Sequence, residues 1–189
     1  MTASLKKKRL CVFCGSGSGN HPDYKKLAQI LGEQIAEHQW GLVYGGAHIG
    51  LMGAAADGCL SRGGEVIGVM PLQLVKLEVA HKNLTQFVPV ETMHDRKQKL
   101  YDYSHAFVAL PGGPGTMDEW FEILTWAQIK YHQKPIFILN AEINGIRYYD
   151  HLLAQLDLMQ NQGFFKAEHR QLYKEARSLE QLWTYLKQI

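Results

Sequence analysis

Two short segments of this 189-residue chain combine residue types that can hold and act on an anion. The run Pro111-Gly112-Gly113-Pro114-Gly115-Thr116-Met117-Asp118-Glu119 sets three glycines and a hydroxyl just ahead of two carboxylates. Glycine lets backbone N–H groups approach an anion closely, and the start of a helix adds a favourable dipole. Acidic residues near a helix start have a plain reading as dipole complements. Beside a phosphate they cost electrostatic energy, which points to a chemical role for Asp118 or Glu119. The second run, Met93-His94-Asp95-Arg96-Lys97, puts two cations at a predicted helix start, where they oppose the dipole. An arginine there can grip a carboxylate or phosphate through two parallel hydrogen bonds.

Glycine is the unusual entry in the composition: there are 18, gathered in clusters. Gly15-Ser16-Gly17-Ser18-Gly19, Gly45-Gly46 and Gly112 to Thr116 each follow a predicted strand and precede a predicted helix. Gly63-Gly64 reads only as a helix stop. In an open parallel sheet, ligands bind outside the carboxyl ends of the strands. Three glycine loops at such ends therefore predict an anionic, phosphorylated ligand, with Gly15, Ser16, Gly45, Gly46 and Gly112 to Thr116 as its binding set. The first loop is not G-x-G-x-x-G, and no acidic residue ends the second strand to hold a ribose, which argues against a dinucleotide. No G-x-x-x-x-G-K-[ST] run occurs, which removes the P-loop. A smaller nucleotide or a sugar phosphate remains.

The elements that must position these residues alternate along the chain. Strands are predicted at Leu10–Cys14, Leu42–Tyr44, Glu65–Met70, Gln86–Val90, Ala106–Leu110, Pro135–Leu139 and Leu172–Ala176. Helices are predicted around Tyr24 to Ile35, and at Leu51–Leu60, Asp95–Tyr103, Thr116–Tyr131 and Tyr148–Gln162, with a last one capped by Ser178. Such alternation implies parallel βαβ crossovers. The expected fold is α/β, a Rossmann-like doubly wound parallel sheet with helices on both faces, in a single domain over residues 1–189. The Ala/Gly-rich helix at Leu51–Leu60 implies a close-packed neighbour.

Composition narrows the function further. Hydrophobic residues at 46% and charged residues at 20% fit a globular chain. The net charge of +2 argues against nucleic acid as a main partner, and Lys6 to Arg9 reads as a solvated arm. Cys11, Cys14 and Cys59 make no disulfide framework; Cys11 and Cys14 face opposite ways within a strand, so core packing is expected rather than a redox or zinc pair. Gly41 to Leu60 is poor in charge but too rich in glycine to span a membrane. Without a signal-peptide pattern, the cytoplasm is the expected location. Trp120, Phe121, Leu124, Trp126, Ile129 and Tyr131 cover several faces of one helix, more than a core alone needs, so part of that surface is expected at a subunit interface.

The pattern Pro-Gly-Gly-x-Gly-Thr-x-x-Glu at Pro111–Glu119, together with Met93-His-x-Arg-Lys97, resembles the Lonely Guy (LOG) family. Cys11 to Ser16, Val43 to Gly46 and Gly50 to Gly53 fit the resemblance too, which runs over nearly the whole chain. Its members are cytokinin riboside 5′-monophosphate phosphoribohydrolases, often mislabelled lysine decarboxylases. The resemblance implies hydrolysis of the N-glycosidic bond of a nucleoside 5′-monophosphate, a cytokinin riboside monophosphate or AMP, to free base and ribose 5-phosphate. It implies Arg96 and Glu119 as the catalytic pair, Gly113 to Glu119 as the phosphate loop with Lys97 beside the arginine, and Glu78 and Thr125 as further substrate contacts. It also implies a homodimer, and the chemistry requires no metal or cofactor. Pro114 departs from the family pattern, and residues 72–90 diverge from plant members in the base-side region. Two alternatives stand beside this reading. One is a non-catalytic nucleotide-binding module on the same loops. The other is a true decarboxylase, which would need a pyridoxal phosphate lysine that no residue here marks out.

Overall fold

The computed structural model describes residues 7–75 and 79–189. In chain order the elements are β1 (Arg9–Phe13), α1 (Pro22–Glu37), β2 (Gly41–Tyr44), α2 (Gly50–Ser61), β3 (Glu65–Pro71), α3 (Leu72–Val75), β4 (Gln86–Val90), α4 (Met93–Tyr103), β5 (Ala106–Ala109), α5 (Pro114–Gln128), β6 (Ile136–Leu139), β7 (Glu142–Ile143), β8 (Ile146–Arg147), α6 (Asp150–Asn161), β9 (Tyr173–Ala176) and α7 (Leu179–Leu186). Every residue of β2, β5 and β6 is buried. Such uniformly apolar strands are what a parallel sheet covered on both faces demands. Seven strands form that sheet in the order β4-β3-β2-β1-β5-β6-β9. The chain winds outward from β1 to β4, then restarts at β5 and winds the other way to β9, which is the expected doubly wound α/β topology.

Two compact units divide the chain: Met1–Val12 with Ser16–Ala106, and Phe13–Gly15 with Phe107–Ile189. In the first, α1 and α2 approach backbone to backbone. A Cβ on Gly32 would collide with the Ala55 carbonyl, and one on Gly58 with the Gln29 carbonyl. This is the close packing that the small residues of α2 predict, and Gly41 to Leu60 forms β2, a loop and most of α2. No helix among the described residues is long and apolar enough to cross a membrane. Gly63, at φ 69°, turns the chain out of α2 as the Gly-Gly stop predicts. The three cysteines are buried and unbridged, and burial pushes the Cys59 thiol up to about 11, so it stays protonated.

Arg9 departs from the expected solvated arm; Lys6 lies outside the described residues. The Arg9 guanidinium sits in β1 and donates two bonds of 3.0 Å to the Glu65 carboxylate at the start of β3. The pair lies over Gly41, whose missing side chain leaves room for it: a Cβ there would stand 2.6 Å from Glu65 Oε2.

In the second unit, β5 pairs with β6 and β6 with β9, all parallel. Trp120 of α5 is fully buried and meets Tyr173 of β9 edge to face at 5.3 Å. Asn140, just past β6, is also fully buried. Its amide donates to Asp150 (2.8 Å) and Glu175 (2.9 Å), and its oxygen accepts from the Tyr149 N–H (2.9 Å). This fixes where α6 begins, at Asp150 rather than at Tyr148 as the periodicity predicts. The β7–β8 hairpin turns at Asn144 and Gly145, both at positive φ (51° and 74°); this Asn-Gly signal lies in the sequence but is absent from the expected strands. Ser178 caps α7 as expected, accepting from the Gln181 N–H at 3.1 Å.

Two stability predictions follow from the first unit. Gly32→Ala drives a methyl into the α2 backbone and lowers unfolding free energy by about 1–3 kcal/mol, whereas Gly17→Ala, with open space around it, costs far less; denaturant unfolding of both checks this. The hydrogen bond from Arg9 holds the Glu65 carboxyl below its usual range. The folded state therefore favours the carboxylate, and the pair's contribution is complete at neutral pH and lost as pH falls through the acid range. Glu65→Gln is expected to flatten the acid limb of the stability profile.

Candidate active site

In the second unit the loop after β5 is held by its carbonyl groups. The buried Tyr149 hydroxyl donates to the Leu110 carbonyl. The Gly15 N–H donates to that of Pro111 (3.1 Å), and the Tyr148 hydroxyl to that of Gly112 (2.7 Å). The Gly113 carbonyl takes the N–H groups of Thr116 (3.1 Å) and Met117 (3.3 Å). Burial pushes the Tyr149 hydroxyl far above its ordinary range, so it remains a donor.

The glycines of this loop divide by purpose. A Cβ on Gly112 would collide with the Thr116 hydroxyl and stand 2.9 Å from the Gly15 nitrogen, so packing alone explains that glycine. A Cβ on Gly113 or Gly115 would meet nothing within 4 Å, and neither glycine has a positive φ. Both are exposed. Their missing side chains leave open space over the loop.

Pro114 is the first residue of α5, two residues before the expected start, with Gly113 as its N-cap. There its fixed φ suits the helix, and its missing N–H is one the helix leaves without an internal partner. The earlier start moves Asp118 and Glu119 into the second turn, beyond where the dipole alone explains an acid. Asp118 is exposed, whereas Glu119 shares the buried face of α5 with Thr116, Trp120 and Ile123 and is only 8% exposed. Thr125 is exposed; helical geometry sets it about 120° around α5 from Glu119, on the face of Asp118.

In the first unit, Gly45 follows β2 under the Arg96 side chain: a Cβ there would collide with the guanidinium and stand 3.0 Å from Met52 Sδ. Arg96 Nε donates to the Val69 carbonyl at 3.3 Å. Gly46 follows at φ 83°. The α4 helix begins at Met93, two residues before the expected start, because Thr92 caps it: its hydroxyl accepts from the Asp95 N–H (3.1 Å), and Asp95 accepts from the Thr92 N–H (3.1 Å). Asp95 therefore satisfies the helix start, and Arg96 lies one position beyond it. Lys97 is half-buried, and Met93 and His94 are exposed. Ser16 belongs to a different contact: a Cβ on Gly50 would collide with its carbonyl, so this glycine seats the β1–α1 loop on the start of α2. Residues 79–81 are tied to the Gly46–His48 turn by His48 N–H to Val79 O (2.9 Å) and His81 N–H to Gly46 O (2.8 Å). His81 Nε2 lies 3.0 Å from Asp57 Oδ1. Glu78 lies outside the described residues.

Comparison with known proteins decides the family. A family model described as "Possible lysine decarboxylase" matches residues 52–186. The chain is 43% identical over 169 residues to a probable cytokinin riboside 5′-monophosphate phosphoribohydrolase of Oryza sativa subsp. japonica, covering 89% of this chain and 73% of that one. It is 40% identical over 182 residues to a cytokinin riboside 5′-monophosphate phosphoribohydrolase of Arabidopsis thaliana, covering 96% and 84%. The chain belongs to the LOG family. Among solved structures, the molybdenum cofactor binding protein of Rippkaea orientalis superposes with a TM-score of 0.73 at 25% identity, covering 98% of each chain. The Moco carrier protein of Chlamydomonas reinhardtii superposes with a TM-score of 0.70 at 22% identity, over 97% of each chain, which shows the shared fold.

Within this LOG chain the structure brings Gly15, Gly112 and Thr116 together in one unit and Gly45 and Arg96 in the other. Tyr148 and Tyr149 are absent from the expected site set. Their hydroxyls reach back 36 and 39 residues, a link with no local sequence signal. The capping pair Thr92 and Asp95 does have one, the spacing T-x-x-D ahead of a helix. The glycine assignments predict contrasting stabilities: Gly112→Ala lowers the unfolding midpoint by roughly 4–8 °C, while Gly113→Ala and Gly115→Ala leave it within about 2 °C. Thermal unfolding of the three variants checks this.

Proposed function

We propose that this LOG chain hydrolyses the N-glycosidic bond of nucleoside 5′-monophosphates, releasing free base and ribose 5-phosphate. The observation that carries the reading is the loop after β5, in which Gly113 and Gly115 have open space that no packing demand explains. The 5′-phosphate sits over that opening, on the backbone N–H groups at the start of α5. Thr116 contributes its hydroxyl rather than its N–H, which Gly113 occupies. Cleavage builds positive charge on the ribose, as an oxocarbenium-like transition state. The Glu119 carboxylate stabilises that charge and orients the attacking water. Water supplies oxygen to C1′ as the C1′–N bond breaks, and a proton goes to the departing base nitrogen. Arg96, which the family motif pairs with Glu119, is the second catalytic residue, and Lys97 adds attraction for the anionic substrate. Gly15, Ser16, Gly45, Gly46, Glu78 and Thr125 complete the proposed substrate set.

The substrates proposed are AMP and a prenylated adenine riboside monophosphate, the latter from the relatives' names. The chain acts as one functional domain in a cytoplasmic homodimer. Ile129 (67% exposed) and Tyr131 (60% exposed), just beyond α5, support the dimer as apolar surface. The molybdenum cofactor binding and carrier proteins of the same fold favour one second reading, a carrier that binds its ligand without chemistry.

Incubation of the purified chain with AMP and with isopentenyladenosine monophosphate, with product identification, tests the proposal. Wild type is expected to release free base and ribose 5-phosphate. Glu119→Gln and Arg96→Ala are each expected to lose about 10²–10⁴-fold in rate. Tight nucleotide binding with no base released would establish the carrier instead, and full activity in Glu119→Gln would remove that residue from the chemistry.

A further inference from the structure

The geometry points to Tyr148 as a positioning residue that locks the phosphate loop in its anion-binding orientation, with Tyr149 as its buried partner; this rests on the phosphate role proposed for the loop. A site made of neutral backbone works for an anion only if N–H groups face it and carbonyl oxygens face away. In this loop the carbonyls of Leu110, Pro111, Gly112 and Gly113 are all engaged by donors. Two of those donors belong to the tyrosine pair.

The Gly112 carbonyl is the sensitive one. It belongs to the Gly112–Gly113 peptide, flanked by two residues without side chains, so little steric hindrance opposes rotation of that peptide. Rotation would withdraw the Gly113 N–H and turn an oxygen toward the phosphate. The Tyr148 hydroxyl, 2.7 Å from that oxygen, opposes the rotation. It touches neither substrate nor reacting atom in this role. Tyr148 is itself well anchored. Its ring meets that of Tyr149 edge to face at 5.0 Å, Tyr149 is 2% exposed, and the Tyr149 N–H is held by buried Asn140 at the end of β6. The rigid end of one strand thus sets the peptide orientation at the end of its neighbour.

Tyr148→Phe in the full chain removes only the hydroxyl of a side chain that is 43% exposed, so the fold persists. The Kd for ribose 5-phosphate, read by calorimetry, and the KM for AMP are expected to rise together by about tenfold. The kcat at saturating AMP is expected to change by less than about twofold, because the lost interaction is made equally in ground and transition states. A general loosening of the structure would instead lower kcat and the unfolding midpoint, and that result overturns the assignment, as does an unchanged Kd for ribose 5-phosphate. The functional reading fails separately. If wild type releases no base from AMP yet the Tyr148→Phe change weakens ribose 5-phosphate binding, the lock stands and the hydrolase does not. If wild type binds no ribose 5-phosphate, the lock falls, whether or not base is released from AMP.

Discussion

Around Pro111 and Pro114 the backbone oxygens outnumber the N–H groups, so a loop that attracts an anion there must dispose of its oxygens. The segment from Leu110 to Gly113 does this with two tyrosine hydroxyls, one amide from the β1–α1 loop and the first turn of its own helix. Much of the second unit follows from that requirement. Asn140 is buried at the end of β6 because it must hold Tyr149 and Asp150 at the start of α6. Thr116 folds over Gly112 because that glycine leaves room for it, and the helix then begins at Pro114.

Glycine serves two opposite purposes in this chain. At Gly32, Gly45, Gly50, Gly58 and Gly112 the absent Cβ is replaced by another part of the protein: a carbonyl, a guanidinium or a hydroxyl. At Gly113 and Gly115 nothing replaces it. Close packing explains the first group; at the second, as at Gly17, the space is open, and it is over Gly113 and Gly115 that the phosphate is proposed to sit.

Much of the fold was legible because its signals are local. Apolar runs mark buried strands, and glycine turns mark their ends. Even the small-residue character of α2 announces its close neighbour α1. The helix starts were less legible. Thr92 and Asp95 begin α4 early, and the Gly113–Pro114 pair does the same for α5, so the residues then counted from those starts shift by two positions. Arg9 looked like part of a basic arm because its partner, Glu65, lies 56 residues away. The tyrosine pair was invisible for the same reason. The candidate loop itself was visible as a motif, but the reason it holds its shape lies in contacts that no spacing encodes.

The proposed function places a phosphate on the backbone at the start of α5. A crystal structure with ribose 5-phosphate bound tests it most directly. Phosphate oxygens are expected within hydrogen-bond distance of the Gly113 and Gly115 amides, with the Tyr148 hydroxyl still on the Gly112 carbonyl. A phosphate seated elsewhere, with the Gly113–Gly115 opening unfilled, would contradict it.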